Sequence, residues 1–360
     1  MLGLMLLGSG CTADTNSNIY SVVDKDPSAE AAPGGFYNDV QKVRGNKTTV
    51  RPTDIMSNGQ GVDGFPVLTE TTFVSVEAAE AEDYLLGEIM GYAVDTTEGS
   101  RFYSTQVLAW HGVVHDKIGD QDVIAVHSVL SGTGGVYNRE EGEEYGLSGY
   151  VWNSDALFYD RSSESLWSVL LGEAVYGKRA GEDLESVGFY TVSWDQWKAA
   201  NPNGLVLSSD TGYARRYDLS PYGDYIVVRD LIFETTNDIV PALVTKAVIT
   251  GVVVNDAAKA YQIGPLVQLG GRLLNDNVGD TNIVTWVDSK GALHINVRDD
   301  VEFDRVQDED LLDVNGRLWK IDEMGNLLNG NSLLSRVSTT EAFWFAWSAT
   351  HPHSELYAIV

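Results

Sequence analysis

The sequence predicts a mainly β fold with short helices, a β-rich α+β protein. It reads as two tandem homologous repeats, each an antiparallel sheet or small barrel, in a pseudo-twofold arrangement. The first observation behind this is a nine-residue signature, WxxWxAxxP, that occurs twice. It is found as Trp194, Trp197, Ala199, Pro202 and as Trp344, Trp347, Ala349, Pro352, and takes four of the nine Trp in the chain. The second is that two landmarks precede each copy in the same order. These are a Leu-Trp pair (Leu166, Trp167 and Leu318, Trp319) and a turn-like segment (VHDKIGD at 114–120 and LNDNVGD at 274–280). The offset falls from 160 residues (114 to 274) to 152 (166 to 318) to 150 (194 to 344), so the second copy is the same unit with loop residues removed. Third, the apolar runs between landmarks are four to nine residues long and broken by Gly, Asn, Asp and Ser, the punctuation of strands.

From the N-terminus, MLGLMLLGSGC is a short apolar run ending at Cys11, the single cysteine of the chain, and polar TADTNSN follows. One cysteine cannot form an internal disulfide. Residues 1–11 therefore read as a signal or lipobox-like segment with Cys11 as a lipid anchor. No other segment approaches the ~18 apolar residues of a spanning helix. The expected location is extracytoplasmic, at the cell surface or in the periplasm, as a membrane-anchored lipoprotein. Residues 12–60, rich in Ser, Asn, Asp, Gly and Pro, read as a flexible linker, with a glycosylation sequon at Asn46.

Repeat 1 spans 61–205. Its strand-like runs include Leu86 to Val94, Val123 to Val126, Gly149 to Trp152, Ala156 to Tyr159 and Leu166 to Leu171. GDQD at 119–122 and GDTN at 279–282 read as hairpin turns at the same place in each repeat. The Trp motif is the main helical island. Ser193 and Gln196 form a capping-box pattern, Trp194 and Trp197 share a face, and Asn201, Pro202 stop the run. A helix so short needs tertiary support, so Trp194, Trp197, Trp344 and Trp347 read as a structural clamp in each repeat. Stacking of the Trp pairs on a sugar or flat ligand is the competing reading. A connector at 206–244, whose Arg215 and Arg216 are expected to pair with carboxylates at the repeat interface, leads to repeat 2 at 245–360.

With 52 acidic residues against 24 basic and a net charge of -28, the chain lacks the basic footprint that phosphate binding needs. Nucleic acid is excluded as a partner. So acidic a surface suits either a salt-loving source or an ordinary acidic secreted protein.

Several segments together resemble the domain of unknown function 3179, a family of secreted or membrane-attached bacterial and archaeal proteins. They are FPVLTETTFVSVEAA at 65–79, VLAWHGVVHDKIGDQDVIAV at 107–126, LSGYVWNSDALFYDRSSESLWSVLLGEAV at 147–175, ARRYDLSPYGDY at 214–225 and EAFWFAWSATHPHSELY at 341–357. The resemblance covers roughly residues 60–357 and implies no established activity. Many members carry a CPLC motif where this chain has Ser128, Val129, Leu130, Ser131. Serine is neither a soft-metal ligand nor a redox couple, so thiol chemistry does not carry over.

Two constellations are candidates for chemistry. His111, His115 and His127 are three of six His. If 107–115 is a helical turn running into a strand, and the hairpin returns His127, they suit zinc or copper. Ser128, Ser131, Asn153 and Asp155 offer the small hydroxyls and amides of a polar ligand pocket, or of tight turns. Asn153 to Asp155 has no counterpart in repeat 2, which directs any ligand site to repeat 1. GLSGY is not a nucleophile elbow, because apolar strand residues continue beyond it. No GxGxxG, phosphate loop or HExxH occurs. The expected function is binding or structural, with the membrane as partner through the anchor, and self-association or another cell-surface protein as further partners. The competing class is a metal-assisted enzyme or metal-binding protein centred on His111, or hydroxyl chemistry at Ser128 and Ser131.

Overall fold

The computed structural model describes residues 47–262, 273–289, 293–322 and 325–357. Cys11 and Asn46 lie outside the described residues. Strand accounts for 44% and helix for 10% of the structure, so the fold is mainly β, with several antiparallel sheets. None of the described helices is long and apolar enough to cross a membrane.

Residues 73–207, the N-terminal region, contain a five-stranded sheet in the order 190–193, 90–96, 99–104, 205–207, 73–75. The central hairpin is antiparallel, strand Tyr190–Ser193 joins one side antiparallel, and strand Leu205–Leu207 joins the other side parallel. Residues 248–357, the C-terminal region, contain a four-stranded sheet in the order 339–343, 248–254, 257–261, 355–357, with the same alternation of antiparallel and parallel neighbours. A three-stranded meander follows each central hairpin, at 113–138 and at 273–297. Its first turn is at Gly119–Asp120 in one region and Gly279–Asp280 in the other, where the sequence predicts hairpin turns.

A further antiparallel sheet completes each region, over 145–177 and over 303–334. In the first of these, strands Lys47–Thr48 and Met56–Ser57 add to the edges, so residues read as linker in the sequence are bonded into the sheet.

Four helices are described: α1 (Val76–Ala81), α2 (Thr105–His111), α3 (Trp194–Ala200) and α4 (Trp344–Thr350). Helix α3 starts as the capping pattern predicts, with the Ser193 hydroxyl accepting from Gln196 N. Helix α4 has Phe343 at that position and no side-chain cap. The leading amides are served alike in both helices. Trp194 N donates to Ile89 O and Asp195 N to Gly87 O; Trp344 N donates to Ala247 O and Phe345 N to Thr245 O.

The Phe102 ring and the indoles of Trp194 and Trp197 centre one core beneath the five-stranded sheet. Trp344, Phe345 and Trp347 centre another, which draws Val129, Leu130 and Leu170 from the N-terminal region and Tyr225 from the connector. That second core is the seam between the regions.

Candidate functional site

The polar residues singled out by sequence converge in part, and they converge at the seam. Asp155 opens the strand Asp155–Asp160 and is fully buried. Ser131 Oγ donates to its Oδ1 at 2.8 Å, while Ser168 Oγ and Leu170 N donate to its Oδ2 at 2.7 and 3.2 Å. Ser128 Oγ accepts from Ala156 N, the next amide along, at 3.0 Å. Burial pushes the Asp155 carboxyl up and the hydroxyl and amide donors pull it back, with burial the larger effect.

The donors come from two turns of nearly the same sequence, Ser-Val-Leu-Ser-Gly at 128–132 and Ser-Val-Leu-Leu-Gly at 168–172. Each is closed by the glycine amide bonding back to the leading serine carbonyl, at 2.9 and 3.0 Å. In each the leading serine hydroxyl also accepts a backbone amide from within the turn, Ser131 N in one and Leu171 N in the other. Asp155 thus ties two turns together from below. The tips of these turns, Val129, Leu130 and Leu170, lie in the seam core beside helix α4.

The surrounding polar contacts also cross the seam. Ser131 O accepts from Phe343 N and Leu130 O from Tyr225 Oη, both at 2.8 Å. Asn153 and Ser154 form a turn with φ of 48° and 62°. Asn153 Oδ1 accepts from Thr236 N and Oγ1, its Nδ2 donates to Thr350 Oγ1, and Ser154 Oγ donates to Phe233 O. Ser128, Ser131 and Asp155 are therefore brought together, whereas Asn153 is engaged with the connector and α4. These residues hold protein to protein, and Ser128, Ser131 and Asp155 are each almost wholly buried. Ser128 also lines, with His127, Gln60, Gly112, Leu147 and Tyr222, a cavity of about 30 Å³, room for a water or two.

The three histidines do not converge. Helix α2 ends at His111, because Gly112 takes φ of 67° and a side chain there would strike Leu147 Cδ2 at 2.7 Å. His115 already lies in the strand Val113–Ile118, so the helical spacing expected between His111 and His115 is lost. In the hairpin His115 pairs with Ile124, and strand alternation then turns His127 to the opposite face. Each ring has its own partners. His111 Nδ1 donates to Pro66 O and its Nε2 meets Tyr217 Oη, both at 2.6 Å. His115 Nε2 accepts from Tyr145 N, and His127 Nδ1 meets Tyr92 Oη. Burial pushes His115 and His127 down to about 4. Among the described residues no group of three or more His, Cys, Asp or Glu is placed to hold a metal ion.

All four Trp of the doubled signature are buried. Trp197 Nε1 donates to Ser100 Oγ and Trp347 Nε1 to Ser354 Oγ. Of the two connector arginines, Arg216 pairs with exposed Asp218 two residues on, and Arg215 lies over the Trp110 ring. Sequence reasoning missed Ser168 and Tyr217. The recurrence of Ser-Val-Leu-x-Gly was a signal for the first; nothing local marked the second.

The family model described as "Protein of unknown function (DUF3179)" matches residues 62–354. The chain belongs to that family. No curated protein and no solved structure matches it.

Proposed function

We propose that this member of the DUF3179 family is an extracytoplasmic, lipid-anchored protein with a binding or structural role, built from two tandem homologous units in pseudo-twofold relation. The observation that carries the role is the state of the candidate residues. The hydroxyls and carboxylate that a catalytic reading would need are buried and engaged in closing the seam around Asp155. A ligand or partner surface, where present, belongs to the first unit, which alone has this pair of serine turns. The partners proposed are the membrane, through the anchor, and a second copy or another cell-surface protein.

The tandem reading is supported by contacts that recur with the sequence offset. Tyr103 and Arg101 clamp Asp116, as Tyr261 and Lys259 clamp Asp276. Trp167 Nε1 donates to Asp160 at 2.9 Å, as Trp319 Nε1 donates to Asp313 at 3.2 Å. The Trp pairs act as the clamp of each unit, packing its helix on its sheet.

The anchor is supported by the apolar run ending at Cys11. Cys11→Ser is expected to move the protein from the detergent phase to the aqueous phase in phase partitioning, and an unchanged distribution refutes lipid anchoring. The non-enzymatic role is tested by metal analysis of the purified chain. One zinc or copper per chain that is lost in His111→Ala would overturn it in favour of a metal centre.

A further inference from the structure

The connector carries an aliphatic face that its own packing does not use. Six of the twelve large hydrophobic side chains exposed among the described residues, Leu219, Ile226, Val227, Val240, Val244 and Val248, fall within 219–248. Toward the end of that stretch two rows separate. Ile239, Leu243 and Ala247 pack inward on the seam core, whereas Val240, Val244 and Val248, each one residue further on, are exposed. Lys246 gathers Ile226 and Val227 beside this outer row, because its Nζ donates to Tyr225 O, to Val228 O at 2.9 Å and to Asp230 O at 2.8 Å. The lysine charge is thereby spent on carbonyls. We propose that this face lies on the lipid bilayer as a second membrane contact, which presupposes the lipid anchor at Cys11.

The charge pattern suits that surface. The chain has 52 carboxylate residues in 360, about one in seven, yet none from 239 to 254. Asp224 and Asp230 flank Ile226 and Val227 in the chain, with Arg229 between them and the outer row. The N-terminal region shows that the fold does not demand so bare a face. Gly87 O and Ile89 O serve the leading amides of α3 as Thr245 O and Ala247 O serve those of α4, so Leu86 and Met90 correspond to Val244 and Val248. Leu86 is as exposed as Val244, at 66% and 64%. Its neighbours in the chain, however, include Glu82, Asp83 and Glu88, and carboxylates resist transfer against lipid.

A second copy is the poorer occupant. Two chains of net charge -28 repel each other, and nothing holds them together while the contact forms. The bilayer is already near. Cys11 and Lys47 are 36 residues apart (11 to 47), so even a fully extended chain keeps Lys47 within about 120 Å of an anchored lipid. The arm that continues from Lys47 packs Met56 on the seam core, the same core that takes Leu243 and Ala247 from the inner row. Under such tethering a weak aliphatic contact acts as an intramolecular one, and it supplies the second signal that a single lipid chain needs for firm attachment.

The test uses the full chain with Cys11→Ser, so that one added thiol carries an environment-sensitive fluorophore. With the label at Val244→Cys, an excess of phosphatidylcholine vesicles is expected to brighten and blue-shift the emission saturably. With the label at Leu86→Cys, the emission is expected to stay unchanged. Adding Val227→Asp to the Val244 probe is expected to raise the lipid needed for half-maximal response about tenfold, since a carboxylate is then forced against lipid. All three substitutions fall at exposed sites, so the fold is preserved. The proposal is overturned if the two probes respond alike, or if Val227→Asp leaves the titration unchanged. It is overturned equally if excess unlabelled chain without lipid reproduces the Val244 response, which would assign the face to a second copy. Because this chain lacks the anchor cysteine, a failure here is distinct from a failure of lipid anchoring, which is read by phase partitioning of the unsubstituted chain.

Discussion

Helices α3 and α4 carry the same signature and start from equivalent strands, yet they live in different surroundings. In α3 the Trp194 and Trp197 rings are buried in the core of their own sheet, and Asp195 and Gln196 face solvent. In α4 every residue from Trp344 to Ala349 is buried. The Trp spacing fixes how each helix meets its sheet; the residues between the Trp fix what lies on the far side. Asp, Gln and Lys at 195, 196 and 198 make one helix amphipathic, whereas Phe, Ala and Ser at 345, 346 and 348 suit a helix covered all round. The cover is supplied by the turn tips Val129, Leu130 and Leu170.

The sharpest way to break this comparison is to exchange the residues that distinguish the helices. Phe345→Asp, which gives α4 the residue of α3, is expected to cost more than about 3 kcal/mol in urea unfolding, because an unpaired carboxylate enters the seam core. The reciprocal Asp195→Phe is expected to stay within about 0.5 kcal/mol. Equal effects would show that the two helices do not differ in environment.

A second contrast lies beneath the seam. Asp155 and Asp310 both open the inner strand of a hairpin, but Asp155 is fully buried under two serine turns and Asp310 is partly exposed. Asp155→Ala is expected to cost about 2–3 kcal/mol, since it strands buried hydroxyls, and Asp310→Ala about 0.5 or less. Comparable losses in chemical denaturation would remove Asp155 from its place as the tie of the seam.

The histidines sharpen the comparison further, through pH. His115 and His127 in the N-terminal region and His351 in the C-terminal region are all pushed down to about 4 by burial. A histidine held below its unfolded value of 6.5 contributes stability that is present above pH 6.5 and is lost as pH falls toward 4. Between pH 7 and pH 5 each is expected to cost about 1–2 kcal/mol. Of the loss that these three rings cause, the double variant His115→Gln, His127→Gln is expected to remove about two thirds and His351→Gln about one third; a slope unchanged in the double variant would contradict their neutral burial. A single lost cap is expected to cost less than the seam variants. Ser193→Ala is expected to lower stability by about 1 kcal/mol, read as a shift in urea midpoint, while α4 relies on no such side chain.

Much of the architecture was legible. The hairpin turns at Gly119 and Gly279, the capping of α3 by Ser193 and the Leu-Trp strands follow from local chemistry, and the structure has them. The separation of His115 from His127 was legible too, although the metal reading overlooked it. Once the turn sits at Gly119–Asp120, pairing register and strand alternation place the two rings on opposite faces. The helix end at His111 was harder to see, because Gly112 is required there by Leu147, a residue 35 positions on (112 to 147).

The candidate ligand residues show the limit most plainly. Ser128, Ser131, Asn153 and Asp155 were identified as small polar groups near turns, and composition could not say whether they face a ligand or each other. That depends on partners remote in sequence: Asp155 with Ser131 and Ser168, Asn153 with Thr236 and Thr350. By itself the sequence determined the strand-rich class, the order of elements and the two sites where a Trp pair meets a sheet, because periodicity, turn chemistry and capping act within a few residues. Only the tertiary structure decided that the polar cluster closes a seam. Burial and hydrogen-bond partnership are properties of packing between distant segments, and no local pattern encodes them.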